Sequence, residues 1–179
     1  MHVRDMTEAD IDAVSVLRVR GWRFAYAGLI PQRALDALDP AEDAAHRRRM
    51  TPVPSLVAED ENEGGEGEVI GWAAWGPYRS DATSSSPPPS PEDVELYALY
   101  VLPDRIGTGT GRALMAAVLD AAAATGATRM LLWVLRDNAR ARRFYEAAGF
   151  TADGQVADFE IDGTTVPEVR YVRLLAPRP

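Results

Sequence analysis

The chain has 179 residues, 46% of them hydrophobic, with a formal net charge of −8: material for one ordinary globular domain around a single sizeable core, taken here as residues 1–179. That acidity argues against wholesale nucleic-acid binding, because a phosphate backbone is repelled unless a basic patch is segregated. The absence of cysteine removes disulfides, thiolate metal sites and a cysteine nucleophile together. No apolar run approaches the roughly 20 residues of a membrane span, and MHVRDMTEAD lacks a signal-peptide core, so a cytoplasmic protein with no membrane partner is expected.

Val3 and Arg4 read as a short first strand, and Thr7 with Asp10 three residues later resembles a helix N-cap. Ile11, Val14, Leu17 and Arg18 follow at helical spacing. Trp22, Phe24, Tyr26, Leu29 and Ile30 then crowd around Gly21, Gly28 and Pro31, which reads as a hydrophobic elbow between two helices. A second helical region covers 32–38 and 41–50. It closes on His46, Arg47, Arg48 and Arg49, cations suited to a helix C-terminus. Residues 55–58 and 69–75 read as paired strands. The intervening EDENEGGEGE has six carboxylates among glycines and nothing to bury, as in a flexible hairpin tip. Residues 81–91, DATSSSPPPSP, form a second polar loop stiffened by proline.

The stretch from Asp93 to Val101 reads as the central strand, stopped by Pro103. Gly107, Gly109 and Gly111 follow at alternate positions, and from Arg112 onward Leu114, Met115, Val118, Leu119 and Ala122 fall at helical spacing. Strand, glycine turn and helix start aim several backbone N–H groups at one anion, for which a phosphate or pyrophosphate is the natural guest. Residues 130–135 read as a strand buried on both faces, completing a right-handed crossover. Asn138 caps the next helix, with Ala141, Phe144, Tyr145 and Ala148 on one face and Gly149 at its end. Residues 155–161 and 169–175, separated by DGTTVPE, read as a closing antiparallel pair.

Spacing sorts the glycine loop. A dinucleotide fingerprint GxGxxG would require glycine where Arg112 or Leu114 stands, and a Walker loop would require Lys then Ser or Thr where Arg112 and Ala113 stand. What remains resembles the acyl-CoA loop of the GNAT superfamily of N-acyltransferases: Gln or Arg, two residues, Gly, any residue, then Gly or Ala. Gly109 and Gly111 match, and Ile106 replaces the Gln or Arg. NARARRFYEAAGF resembles the motif following the family's fifth strand, with Asn138, Ala141, Phe144, Tyr145, Glu146, Gly149 and Phe150 all in place. The two motifs stand in the family's order.

The resemblance implies an α/β (α+β) GNAT fold: a mixed, mostly antiparallel sheet flanked by helices and splayed between strands 4 and 5, with acetyl-CoA lying in the splay. It implies direct transfer of an acetyl group to a primary amine, with no metal. The amides of Ile106, Gly107, Thr108, Gly109, Thr110, Gly111 and Arg112 are expected at the pyrophosphate. Arg112 adds charge there or is simply solvated. The N–H of Leu99, freed by a strand bulge, is expected to polarise the thioester carbonyl, while Val101 and Asn138 bond the pantetheine arm.

An amine resembling lysine, of pKa about 10.4, must lose a proton before it attacks. Glu95 falls where histone-acetylating members carry their catalytic glutamate. It is that base, or an ordinary charged residue near a strand start with the proton relayed through water. Tyr145 is expected to protonate the departing thiolate, against the reading that it merely completes an apolar face. The segment between the first two helices overhangs the acceptor site in this family, which makes Tyr26 a pocket candidate. Other chemistries are poorly supplied. His2 and His46 are the only histidines, no GxSxG elbow exists, and no His or Cys cluster proposes a metal. The rival reading is an acyl-CoA-binding sensor or interaction module. Relatives commonly dimerise, but no exposed apolar stripe specifies a homodimer.

Overall fold

The computed structural model describes residues 1–60, 67–79 and 90–175. Most of the acidic hairpin tip and most of the proline-stiffened loop lie outside these. The strands are β1 (His2–Asp5), β2 (Ser55–Asp60), β3 (Glu68–Pro77), β4 (Asp93–Val101), β5 (Arg129–Leu135), β6 (Thr151–Ile161) and β7 (Thr164–Leu174). The α-helices are α1 (Ile11–Ala25), α2 (Gln32–Asp36), α3 (Pro40–Arg49), α4 (Thr110–Ala124) and α5 (Ala139–Ala147). One mixed sheet in the order β1-β2-β3-β4-β5-β7-β6 holds all seven strands. Every neighbouring pair is antiparallel except β4 and β5.

The expected capping pair is present: the Asp10 carboxylate accepts from both the Thr7 N–H and the Thr7 hydroxyl, and it also holds Arg4 of β1. Helix α4 starts at Thr110, two residues before the spacing predicts, because Gly109 adopts φ +101 and turns the chain into the helix. The closing pair is longer than its apolar pattern. DGTTVPE is strand from Thr164 onward, and the turn is Asp162 and Gly163, both at positive φ, a two-residue hairpin turn. At its other end β6 reaches back to Thr151 across a register shift between Ala152 and Val156.

Residues directly opposite in an antiparallel pair share a face, which sorts the helices into two layers. Trp72 and Tyr100 are opposite and their rings stack 6.3 Å apart. Against them lie α1 and α3, with the Arg47 guanidinium 4.2 Å from the Trp72 ring centre. Helix α1 passes Tyr100 at Gly21, where a Cβ would come within 2.9 Å of the Tyr100 ring. On the opposite face Gly71 pairs with Val101 beneath α4. Val14, Leu17, Val57, Ala73, Leu114, Val118, Met130, Leu132 and Phe150 join both layers into the main core.

The parallel join is short. β4 and β5 pair only at Asp93↔Arg129, Val94↔Met130 and Glu95↔Leu131. There the buried Asp93 carboxylate takes a two-pronged grip from Arg129, at 2.7 and 2.6 Å. Beyond Glu95 the strands part, leaving the β5 side of residues 96–101 without a strand partner. Among the described residues, no helix is long and apolar enough to cross a membrane.

Candidate active site

The turn between β4 and α4 presents main-chain donors. Among the described residues, the amides of Gly107, Gly109, Thr110, Gly111 and Arg112 have no hydrogen-bond acceptor. Those of Ile106 and Thr108 make long turn bonds of 3.4 Å to the Pro103 and Arg105 carbonyls. The Ile106 amide, expected to stay available despite its side chain, is therefore partly committed within the turn. The Thr108 hydroxyl donates to the Arg105 carbonyl at 2.7 Å and lies 3.0 Å from the Thr110 hydroxyl, which fixes the turn from inside. The unbonded donors sit at the positive end of a 15-residue helix, an arrangement suited to an anion.

From this turn a cavity of about 950 Å³ runs into the splay, lined by Leu99, Val101, Gly111 and Arg112 on one side and by Asn138, Phe144 and Tyr145 on the other. Asn138 accepts the Ala141 N–H through Oδ1 at 3.1 Å, capping α5 and leaving its amide NH₂ for other partners. Helix α5 is tied to β7 by Tyr171, whose hydroxyl donates to Glu146 at 2.7 Å and accepts from Arg142 at 3.0 Å. The acid of the aromatic-Tyr-acid triplet is thus the anchor of the helix that carries Tyr145.

Three phenols line this cavity, those of Tyr26, Tyr100 and Tyr145. The Tyr26 and Tyr100 hydroxyls are 3.2 Å apart, and Tyr145 lies within electrostatic reach of both. Burial pushes all three phenols above their ordinary pKa, Tyr100 and Tyr145 strongly, so each is protonated at neutral pH.

A second cavity, of about 440 Å³, abuts the first and shares Tyr26, Leu96, Tyr97, Tyr100 and Trp133 with it. Glu95 is in its wall. A one-residue bulge at Tyr97, between Leu96 opposite Trp75 and Ala98 opposite Ala74, resets the alternation of β4. The bulge places Glu95, opposite Gly76, on the same face as Tyr100. The buried Glu95 carboxylate accepts from the Arg79 backbone N–H at 3.0 Å and from its guanidinium at 2.7 Å. The Arg79 side chain, 63% exposed, lies 3.9 Å from the Tyr97 ring centre. Opposite, β6 and β7 contribute Phe159 and Glu168.

Comparison with known proteins identifies the family. The Acetyltransferase (GNAT) family model matches residues 22–150. The chain belongs to the GNAT family. The uncharacterized N-acetyltransferase YuaI of Bacillus subtilis is 34% identical over 170 residues, which are 93% of this chain and 89% of that one. Mycothiol acetyltransferase of Beutenbergia cavernae is 49% identical over 57 residues, but these are 32% of this chain and 19% of that protein. Among solved structures, yncA of Salmonella typhimurium, determined with its cofactor acetyl-CoA, aligns with a TM-score of 0.68 at 24% identity, covering 100% of this chain and 96% of that one. At that identity the likeness establishes the fold.

Set in the GNAT frame, the residues singled out by sequence fall into two groups that meet at the phenol cluster. Leu99, Val101, Ile106, Gly107, Gly109, Gly111, Arg112, Asn138 and Tyr145 line the larger cavity, Glu95 lines the smaller, and Tyr26 lines both. Thr108 and Thr110 serve the turn from within. Strand residues Phe159 and Glu168 complete the smaller cavity beside Tyr26 and Glu95, while the turn between β6 and β7 is held elsewhere by the ion pair of Asp162 with Arg33. Sequence reasoning missed Tyr100, Trp133, Arg79 and Glu168. The DG dipeptide at 162–163 marks the hairpin that brings Glu168 in, and it is the one signal that pointed there.

Proposed function

We propose that this GNAT protein moves an acetyl group from acetyl-CoA directly to a primary amine. The observation that carries the reading is that the two cavities abut at the phenol cluster: the unbonded amides of the β4–α4 turn, the open edge of β4 and Tyr145 line one, and Glu95 lines the other.

On this reading the turn amides, with Arg112 beside them, receive the pyrophosphate. Val101 and the free NH₂ of Asn138 hold the amide-bearing arm, in the manner of a strand added to an unpaired edge. The Leu99 N–H polarises the thioester carbonyl. Glu95 takes one proton of the incoming ammonium, directly or through water, the neutral nitrogen forms the new C–N bond as the C–S bond breaks, and the second proton then leaves that nitrogen through water to restore the Tyr145 phenol. Tyr145 gives its proton to the leaving sulfur, whose conjugate acid titrates near 8.5 by analogy with cysteine. Burial keeps the Tyr145 phenol protonated at neutral pH and also makes it a weaker acid than free tyrosine, so its proton moves only as negative charge builds on the departing sulfur.

The test is release of CoA thiol from acetyl-CoA across a panel of amines, in the wild type and in Tyr145→Phe. Turnover is expected to fall on the order of 10²-fold with acetyl-CoA affinity unchanged. Unaltered turnover removes Tyr145 from the chemistry. No thiol release with any amine, despite acetyl-CoA binding, favours the sensor reading.

A further inference from the structure

The larger cavity ends where the sheet closes. Along β4 its lining runs from Val101 down to Leu96, and along β5 from Val134 down to Trp133. The last residues joined between the two strands are Glu95 and Leu131, immediately below that lining. Continued by two residues, the same parallel register would set Tyr97 opposite Trp133, so these two rings stand at the apex of the splay.

Trp133 is the bulkiest side chain at that apex, and it is held from behind. Its partner across the β5–β7 pair is Arg170, whose guanidinium lies 5.7 Å from the Trp133 ring centre. Arg170 is itself buried and fixed, donating to Asp153 at 2.8 Å and to the Tyr78 hydroxyl at 2.9 Å. Because Trp133 lines both cavities, its indole is part of the boundary between them.

The direction of the thioester gives this boundary a consequence. On the transferase reading above, the amide-bearing arm follows β4 from Val101 to Leu99, with the carbonyl at the Leu99 N–H. An acyl chain extends within the thioester plane and away from the sulfur, so it continues down β4 toward Tyr97 and the join. The amine attacks across that plane, at the carbonyl carbon. Room for the amine and a stop for the acyl chain are therefore different parts of one boundary.

We infer that Trp133 selects the acyl group: its indole closes the apex of the splay and restricts the thioester to a short acyl chain. A longer chain has to push the ring off Arg170 or occupy the acceptor's cavity, and either costs affinity. This inference rests on the transferase reading.

The experiment is calorimetric titration of the whole chain with CoA, acetyl-CoA, butanoyl-CoA and hexanoyl-CoA, in the wild type, Trp133→Ala and Trp133→Phe. The wild type is expected to bind hexanoyl-CoA at least about tenfold more weakly than acetyl-CoA. Trp133→Ala is expected to bring hexanoyl-CoA to within about threefold of acetyl-CoA, with affinity for CoA itself unchanged. Trp133→Phe keeps a smaller ring and folds where the alanine variant does not; it is expected to admit butanoyl-CoA and still discriminate against hexanoyl-CoA. General damage to the fold would weaken CoA and all its esters together. Equal affinity of the wild type for acetyl-CoA and hexanoyl-CoA overturns the inference, as does a chain-length preference that survives unchanged in a variant that binds CoA normally. Failure of the wild type to bind CoA at all removes the transferase reading and this inference with it, whereas CoA binding without selection by chain length removes the inference alone.

Discussion

Glu95 and Tyr100 face the same side of β4 although their positions differ by an odd number, because the bulge at Tyr97 takes up one position. In a regular strand the Glu95 carboxylate would point toward the α4 layer, away from Tyr26. With the bulge it shares a cavity wall with both tyrosines. If Glu95 accepts the acceptor's proton, Glu95→Gln lowers kcat/KM roughly 10²-fold near pH 7, with recovery as the pH approaches the amine's own pKa. A pH–rate profile parallel to that of the wild type assigns the proton to a water relay.

Tyr171→Phe removes the hydroxyl shared by Glu146 and Arg142. Stability is expected to fall by about 1–2 kcal/mol, a drop of roughly 2–6 °C in Tm for a chain of this size. Because α5 carries Tyr145, turnover should fall as well, with acetyl-CoA affinity affected less. Thermal melts and saturation kinetics check the two effects separately.

Gly109→Ala forces an L side chain to adopt φ +101. The added methyl has room, its nearest neighbour being the Arg112 guanidinium at 3.7 Å, so the cost is backbone strain of about 1–2 kcal/mol and not a clash. Relief of that strain re-aims the amides of Thr110 and Gly111. The expected result is an acetyl-CoA dissociation constant raised roughly tenfold, with kcat at saturation little changed. Calorimetry with acetyl-CoA measures the first, and steady-state rates the second.

Tyr26, Tyr100 and Tyr145 all have phenols raised by burial. Above pH about 10 the unfolded chain loses these protons while the folded chain keeps them, so stability declines as pH rises from there. Below pH 9 the three contribute no pH dependence. Denaturant titrations from pH 7 to 11 should show a flat region followed by a fall. Phenolate absorbance should show these residues ionising late, together with unfolding.

Much of the site was legible because it is local. The β4 strand, the glycines at 107, 109 and 111, and the Asn138 cap each act within a few residues of themselves, and their chemistry survives being read in one dimension. Glu168 did not. Pro167 discourages a strand reading, and only the pairing of β7 with β5 on one side and β6 on the other makes that segment a strand. Arg79 was hidden for a related reason, since its partner Glu95 reaches it only through the bulge. The starts of β6 and α4 were misplaced because a register shift and a positive-φ glycine, rather than hydrophobic spacing, set them.

The seven strands are joined across the middle by three residue pairs, clamped at one end by Arg129 on Asp93. Mechanically this is a pair of plates, one of four strands and one of three, sharing a short hinge. An extended ligand that bonded the free edge of β4 would lengthen that seam beyond the three pairs the polypeptide supplies.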